Sequence, residues 1–228
     1  MSAKNDQDPV LQLLAAGLQL WVRQQCESVE SLEVQLEGSA LQLLRGRLEG
    51  VRMMARGVRY RKLQLELVEL TSSGLQIQMG NLWRGQPLQL QQAFRISGLV
   101  SFTPEGLSRS LAQPEWRPLA DQLAEELLGI APLVKLAIRG DRLVFTAQAV
   151  GEARPVELET TLEASTGSVL ISAAAGAVSC LLPMDPAIQV DRATLEAGMV
   201  VLEGSANVSP GPGGDQRGSR GSTRVVRE

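Results

Sequence analysis

Apolar and polar residues alternate strictly in two neighbouring runs in the first half of the chain. The sequence reads Leu-Gln-Leu-Glu-Leu from Leu63 and Leu-Gln-Ile-Gln-Met from Leu75, with Ser72-Ser73-Gly74 between the two runs. A period of two places side chains on alternate faces of a strand. The runs therefore predict an antiparallel hairpin with one apolar face, followed by a glycine-bounded turn that carries Trp83 and Arg84.

A helical period comes earlier, between about residues 9 and 25. Asp8 is a suitable N-cap and Pro9 a suitable first helical residue. Apolar residues then recur on one helical face at Leu11, Leu14, Leu18, Trp21 and Val22. A helix that covers a sheet is the favoured interpretation. A peripheral membrane helix is the second, because the helix body lacks the Lys/Arg-rich polar face that is typical of such helices.

Further elements follow from the same patterns. Thr103-Pro104 predicts the start of a helix that ends near Gln113-Pro114, and Gly129 and Pro132 end a second helix that begins near Glu115. Alternation predicts the remaining strands at 32–36, 41–44 with 48–54, 96–102, 134–138, 143–147, 156–162 and 169–182. A hairpin turn is predicted at Gly140-Asp141, and a final hairpin over 188–203 turns at Ala197-Gly198. A helix is the alternative in the alanine-rich middle of 169–182. The fold class is therefore α+β.

The two ends of the chain differ in composition from the middle. From Ser209 the last twenty residues include five glycines, two prolines and four arginines, which cannot bury enough apolar surface to fold. We expect a flexible N-terminus at 1–8, a single domain at 9–208 and a disordered tail at 209–228.

The composition of the chain limits the kinds of binding partner and the cellular compartment that we expect. The formal net charge is −3 with a pI of about 5.3, which disfavours general nucleic-acid binding. The uncharged run from Val10 to Val22 lacks the basic flank and cleavage site of a signal peptide, and it is shorter than the about 20 residues that span a bilayer. We therefore expect a cytoplasmic protein, peripheral to a membrane at most. Cys26 and Cys180 are expected to be unpaired thiols.

Candidate catalytic groups do not form an active-site pattern. The 228 residues include no histidine, which removes the most common acid–base group and metal ligand. The segment from Gly80 to Gly85 lacks the Gly-Lys-Ser/Thr ending of a phosphate-binding loop. Glu125 and Glu126 are adjacent on a helix and project about 100° apart. We predict a protein without enzymatic activity, cofactor or metal.

Basic residues concentrate between Arg45 and Lys62, where seven arginines and lysines accompany Glu49. A solvated outer face of the sheet is the favoured interpretation. A surface for anionic lipid headgroups is the second, formed by Arg52, Arg56, Arg59 and Arg84. Nucleic-acid binding is third, because Tyr60 alone supplies a stacking ring nearby.

Short motifs spread along the chain are shared with one known family. They are Ser28-Val29-Glu30-Ser31-Leu32, Gly46, Gly50-Val51, Tyr60-Arg61, Asn81-Leu82-Trp83-Arg84-Gly85-Gln86-Pro87-Leu88 and Ser110-Leu111-Ala112-Gln113-Pro114. The chain resembles the LmeA-like phospholipid-binding family, of the type common in cyanobacteria and actinobacteria, across about residues 10 to 208. The resemblance implies an elongated, strongly curved antiparallel sheet wrapped around amphipathic helices, similar to tubular lipid-binding (TULIP-like) domains.

The resemblance also implies that the sheet holds acyl chains in an apolar groove. Combined with the alternating runs, it predicts a groove lined by Leu63, Leu65, Leu67, Leu75, Ile77, Met79, Leu123 and Leu127. The predicted function is non-catalytic binding or transfer of a phospholipid or another acyl lipid, with contact to an anionic membrane. The alternative is a scaffold protein with a closed core and a basic face that binds a partner.

Overall fold

The structure is a computed structural model that describes residues 9–76, 92–149, 151–152, 154–176 and 178–209. The helices in this part of the chain are α1 (Pro9–Gln25), α2 (Ala40–Leu44), α3 (Pro104–Leu111) and α4 (Arg117–Leu128). The strands are β1 (Ser31–Glu37), β2 (Arg47–Leu48), β3 (Gly50–Tyr60), β4 (Leu63–Ser72), β5 (Leu75–Gln76), β6 (Phe94–Phe102), β7 (Leu133–Arg139), β8 (Arg142–Ala147), β9 (Val156–Ser165), β10 (Ser168–Ala173), β11 (Ser179–Leu181), β12 (Ile188–Glu196) and β13 (Met199–Val208).

The strands form two antiparallel sheets and a short ladder. The large sheet has six strands in the order β1-β3-β4-β6-β13-β12, and the small sheet has five in the order β11-β10-β9-β8-β7. Strand β2 pairs with β5. The hairpin β12–β13 pairs with β6, so the large sheet combines strands from both ends of the described chain. The fold is thus mixed α+β, with a large antiparallel sheet and a few helices.

The first of two apolar cores lies at the β1 end of the large sheet. The buried residues of β1 are Leu32, Val34 and Leu36, which alternate with exposed polar residues, as expected for a strand with one buried face. Helix α1 lies against β1, and its buried residues Leu11 and Ala15 belong to the same core. This N-terminal core is therefore formed by a helix that packs on the edge of the large sheet.

The second core lies at the opposite end of the large sheet. This C-terminal core joins α3, α4, the small sheet and the β12–β13 hairpin, and it includes Phe102, Phe145 and Val200. Leu65 and Val100 pack against both cores. The two cores are therefore continuous beneath β4 and β6.

Two serines of α3 tie the large sheet to the small one. The Ser110 hydroxyl accepts a hydrogen bond from the backbone N–H of Gln64 (2.9 Å) and donates one to the carbonyl of Gly106 (2.7 Å). The Ser108 hydroxyl accepts a hydrogen bond from the N–H of Leu136 (2.9 Å). Because Gln64 belongs to β4 and Leu136 to β7, α3 bridges the two sheets at this end.

Most of the local predictions are confirmed. The first helix covers the predicted residues 9–25, and the Thr103 hydroxyl caps α3 by accepting a hydrogen bond from the N–H of Gly106 (3.0 Å). Gly129 ends α4 in the left-handed region, with φ of 71°. The hairpins predicted at Gly140-Asp141 and Ala197-Gly198 are the β7–β8 and β12–β13 hairpins.

Some predictions concern residues outside the described ranges. These are the flexible N-terminus at 1–8, the tail beyond 209, the cap at Asp8 and the glycine-bounded turn with Trp83 and Arg84. Within 169–182 the described residues form β10 and β11, so the strand prediction holds there.

The hairpin predicted across Ser72-Ser73-Gly74 is wrong. Strand β4 pairs instead with β3, through a two-residue turn at Arg61 and Lys62, and β5 pairs with β2. Both turn residues have positive φ, 47° and 65°, as in the type I′ turns that match the twist of a hairpin. Neither residue is a glycine, which is why the composition of the turn did not identify it.

The strand predicted at 41–44 is also wrong, because these residues lie in the short helix α2. Ser39 and Gln42 form a capping box: the Ser39 hydroxyl accepts from the N–H of Gln42, and the Gln42 side chain accepts from the N–H of Ser39. Together the two bonds satisfy donors that the start of a helix leaves free.

Candidate functional site

The residues predicted to line a groove are divided between the two cores. Leu75 is buried in the N-terminal core, whereas Leu123 and Leu127 of α4 are buried in the C-terminal core. The two α4 leucines are each 4 % exposed, so they are packed against protein. Leu65 contacts both cores and is the one predicted position, among those described, that lies where the cores meet.

Among the remaining predicted groove residues, the structure describes Leu63 and Leu67. Leu63 and Leu67 are partly buried, and Leu67 lies directly opposite Arg56 in β3 and Ser101 in β6. The residue that joins the N-terminal core is instead its neighbour Val68. The other predicted positions, Ile77 and Met79 of the groove and Arg84 of the headgroup surface, lie outside the described residues.

One row of directly paired residues crosses the large sheet on its core side. It runs through Met53 of β3, Leu70 of β4, Gly98 of β6, Gly204 of β13 and Val190 of β12. Residues that are directly opposite in an antiparallel sheet project from the same face. We call this face, which carries Met53, Leu70 and Val190, the inner face.

The two glycines in this row mark a very close approach of neighbouring strands. A Cβ atom on Gly98 would lie 1.9 Å from the carbonyl oxygen of Glu69, and one on Gly204 would lie 2.1 Å from that of Gln189. Both distances are far below van der Waals contact, so only glycine fits either position. At these two positions in the middle of the inner face, neighbouring backbone takes the place of a side chain.

Apolar side chains around Gly98 and Gly204 are only partly buried. They are Met53, Leu70, Ile96, Val100 and Leu202. Each lies in the row described above or two residues from it along a strand, on the same inner face. Sequence patterns did not point to this group, because its common face depends on the pairing of β6 with β13. The alternation of Ile96, Gly98 and Val100 was the local signal.

The three described arginines of the predicted headgroup surface project from the opposite, outer face. Ala55 and Val58 are both buried in the N-terminal core although they are three residues apart. Gly57 between them has a φ of 58°, a left-handed conformation that glycine adopts readily, and the buried positions of β3 change from odd to even numbers there. Arg56 and Arg59 therefore lie on the outer side together with Arg52.

Acidic groups reduce the positive charge of this outer face. Arg52 forms an ion pair with Glu37 (3.2 Å), with both side chains well exposed. Lys62 forms an ion pair with Glu27 (3.2 Å). Desolvation raises the pKa of the Glu27 carboxyl group, but hydrogen bonds from Lys62 outweigh it, so this pKa is lowered overall. Exposed ion pairs of this kind contribute little to stability. The surface is basic, but it is not a strongly charged patch.

The buried Cys180 thiol lies beside Glu126 of α4. Burial, together with a hydrogen bond to the Glu126 carboxylate, raises the pKa of Cys180 to about 12. The same hydrogen bond, with a second from Gln122 (2.8 Å), lowers the pKa of Glu126. The thiol is thus protonated at neutral pH and is a poor nucleophile. Burial also raises the pKa of Cys26, and both cysteines are free.

A cleft of about 610 Å³ opens beside the junction of the two sheets. Val190 of β12 donates a backbone hydrogen bond to Gly167 in the β9–β10 turn (2.8 Å) at this junction. The sequence patterns do not identify this cleft, because it is formed by segments that the return of β12 brings together. It is lined by Thr166, Gly167, Ser168, Leu181, Leu182, Pro183, Met184, Asp185, Pro186, Ile188 and Gln189.

The chain matches a known family over most of its length. The family model described as LmeA-like phospholipid-binding matches residues 7–205. Among curated proteins and among solved structures, no match was found. Within the described ranges, no helix is long and apolar enough to cross a membrane, and no group of three or more His, Cys, Asp or Glu residues could hold a metal ion.

Proposed function

This chain belongs to the LmeA-like phospholipid-binding family, and from this premise we propose that it binds a phospholipid without catalysis, with the acyl chains against the inner face of the large sheet. The observation that carries the proposal is the set of partly buried apolar side chains around Gly98 and Gly204. Buried acyl chains would be stabilised by about 0.8 kcal/mol for each methylene removed from water.

The position of the two cores supports this location for the lipid. Helix α1 covers the β1 end of the inner face, the small sheet adjoins the β12 end, and α3 contacts β4 near Gln64. The middle strands β4 and β6 carry Leu70, Ile96 and Val100, which are partly exposed between these two covers. An apolar ligand between the covers would remove this surface from water.

The glycine pair also supports the finer form of the fold, a strongly curved sheet of the TULIP-like kind. Neighbouring backbones approach Gly98 and Gly204 from the inner side, which is the direction in which the sheet must bend to become concave. The single domain would extend over 9–208, because β13 ends at Val208 and pairs along its length with β6.

The outer arginines support a role for anionic headgroups or membranes. Arg52, Arg56 and Arg59 are exposed on one side of β3, and each basic group near an anionic surface contributes about 1 kcal/mol. The chemistry of the chain supports binding rather than turnover: histidine is absent from the sequence and the Cys180 thiol is protonated.

A substitution on the inner face, matched with one on the outer face of the same strand, tests the proposal. Ile96→Trp would occupy space proposed for an acyl chain, whereas Leu99→Trp adds the same ring on the other side of β6. We expect native mass spectrometry to detect bound phospholipid on the wild type and the Leu99→Trp variant, and less on the Ile96→Trp variant. A wild type that neither retains nor takes up phospholipid would contradict the proposal and favour the scaffold alternative.

A further inference from the structure

Helix α1 is apolar on the side that faces away from the protein. Its 17 residues include one charged residue, Arg23. The side towards β1 is buried through Leu11 and Ala15, but Leu13, Leu20 and Trp21 are 77 %, 61 % and 56 % exposed. Several large apolar side chains exposed together on one element are typical of an interaction surface. The outward side of α1 therefore requires an explanation that the packing on β1 does not supply.

The exposed apolar residues are aligned along the helix. Leu13 and Leu20 are seven residues apart, which is two helical turns, and the exposed small residues Ala16 and Gly17 lie between them. Trp21 flanks the same side one residue further on. We call the residues Leu13, Leu20 and Trp21 the outward stripe.

Aromatic and basic residues lie at the C-terminal end of this helix. The Arg23 guanidinium donates to the carbonyl of Val29 (3.4 Å), and the adjacent Ser28 accepts a backbone hydrogen bond from Arg59 (2.8 Å). These contacts bring the β3–β4 turn to the end of α1. Tyr60, the last residue of β3, is 40 % exposed, and the guanidinium of Arg61 in the turn lies 5.4 Å from the centre of its ring.

We propose that the outward stripe, together with Tyr60 and Arg61, docks on the surface of an anionic phospholipid bilayer. Tryptophan, tyrosine and arginine beside an apolar surface are the groups favoured at a membrane–water interface. Membrane-surface helices usually carry basic residues on their own polar side. Here the β3–β4 turn supplies them instead, so the apolar surface and the cations meet the bilayer together. The inference rests on the proposed function, which requires lipid to be exchanged with a membrane.

Paired substitutions of exposed apolar residues test the docking surface. Leu13→Gln with Leu20→Gln replaces the two leucines of the outward stripe. Val134→Gln with Val156→Gln is the matched control on β7 and β9, where both valines are exposed. The probe is a vesicle made of equal parts of phosphatidylcholine and phosphatidylglycerol. We expect sedimentation with vesicles to weaken roughly tenfold or more for the stripe variant and to stay unchanged for the control.

Bound lipid and oligomeric state, measured on the same proteins, separate the outcomes. If the stripe variant keeps its bound phospholipid and its urea midpoint but loses the vesicles, the docking inference is supported. If it sediments with vesicles like the wild type, the inference is overturned while the proposed function stands. A wild-type dimer that the stripe substitutions convert to a monomer would also overturn it, because a second copy would then cover the stripe. Vesicle binding through the stripe by a wild type that holds no lipid would overturn the proposed function alone.

Discussion

Gly98 and Gly204 lie directly opposite each other in the neighbouring strands β6 and β13. Each is also pressed against the strand on its other side: Gly98 against the Glu69 carbonyl of β4, and Gly204 against the Gln189 carbonyl of β12. Two close approaches, of β4 to β6 and of β12 to β13, therefore lie on a single line across the sheet. This line crosses the centre of the inner face, where we propose that acyl chains bind.

Replacing Gly98 with alanine is expected to destabilise the fold. The new Cβ would lie 1.9 Å from a backbone oxygen, which cannot move aside as the end of a flexible side chain can. Overpacking of this kind costs about 1–3 kcal/mol or more. Gly17→Ala is the control, since a Cβ there has nothing within 4 Å and lies in a helix, where alanine stabilises by about 0.5–1 kcal/mol. Urea unfolding of both variants measures the difference, and equal midpoints would contradict the close approach.

Replacement of two buried serines by alanine should change the stability of the fold in different ways. Ser110→Ala removes the acceptor of the Gln64 N–H and should cost about 1–3 kcal/mol. The Ser101 hydroxyl is likewise buried, but it has no hydrogen-bond partner in the part of the chain that is described, so Ser101→Ala should be neutral or stabilising. Thermal or urea unfolding compares the two. A larger loss for Ser101→Ala would show that its hydroxyl has a role that these contacts do not include.

The Cys180 thiol should make stability depend on pH in the alkaline range. Its pKa is raised from 9.0 to about 12 in the folded protein, mainly by burial. Below pH 9 the thiol is protonated in both states, whereas above it the unfolded chain ionises first, so the free energy of unfolding falls as pH rises. Cys180→Ala should remove part of that fall. The measurement is urea unfolding at neutral pH and about one unit above the unfolded pKa, and an identical loss in both proteins would contradict it.

Local signals in the sequence were sufficient for most elements. The helix from Pro9 to Gln25, the Thr103 cap of α3 and the Gly129 end of α4 each depend on residues close together in the chain. The short helix α2 was missed although its Ser39 and Gln42 have the spacing of a capping box. The leucines of this segment have a strand-like pattern, but the capping box stabilises a helix there.

The candidate site could not be predicted in the same way, because its residues are brought together by long-range pairing. Gly98 acquires its role only when β13 returns to pair with β6, about a hundred residues later. The alternation from Leu63 to Leu67 predicted one apolar face. In the structure, burial passes to Val68, and Leu67 lies opposite Arg56. A bend in a strand changes which face a residue occupies, and the polar–apolar pattern does not record where the bend occurs.

The outer arginines of β3 provide the last prediction. A triple variant should bind vesicles that contain phosphatidylglycerol more weakly; it carries Arg52→Gln, Arg56→Gln and Arg59→Gln. The reason is that each cation near an anionic surface contributes about 1 kcal/mol to binding. All three side chains are exposed, so the fold should be unaffected. The effect should shrink as salt is added, since screening weakens interactions between exposed charges. Vesicle sedimentation at low and at high salt measures it.

A control of equal charge distinguishes a local surface from the net charge of the protein. The control replaces three arginines elsewhere, Arg109 of α3, Arg117 of α4 and Arg142 of β8, with glutamine. Like the β3 variant, it loses three positive charges, so its formal net charge falls from −3 to −6. If binding depends on the outer face of β3, the control should bind vesicles at low salt almost as the wild type does. Equal losses in both triple variants would mean that only net charge matters. Unchanged binding in the β3 variant would make its arginines a solvated face and leave the outward stripe of α1 as the membrane contact.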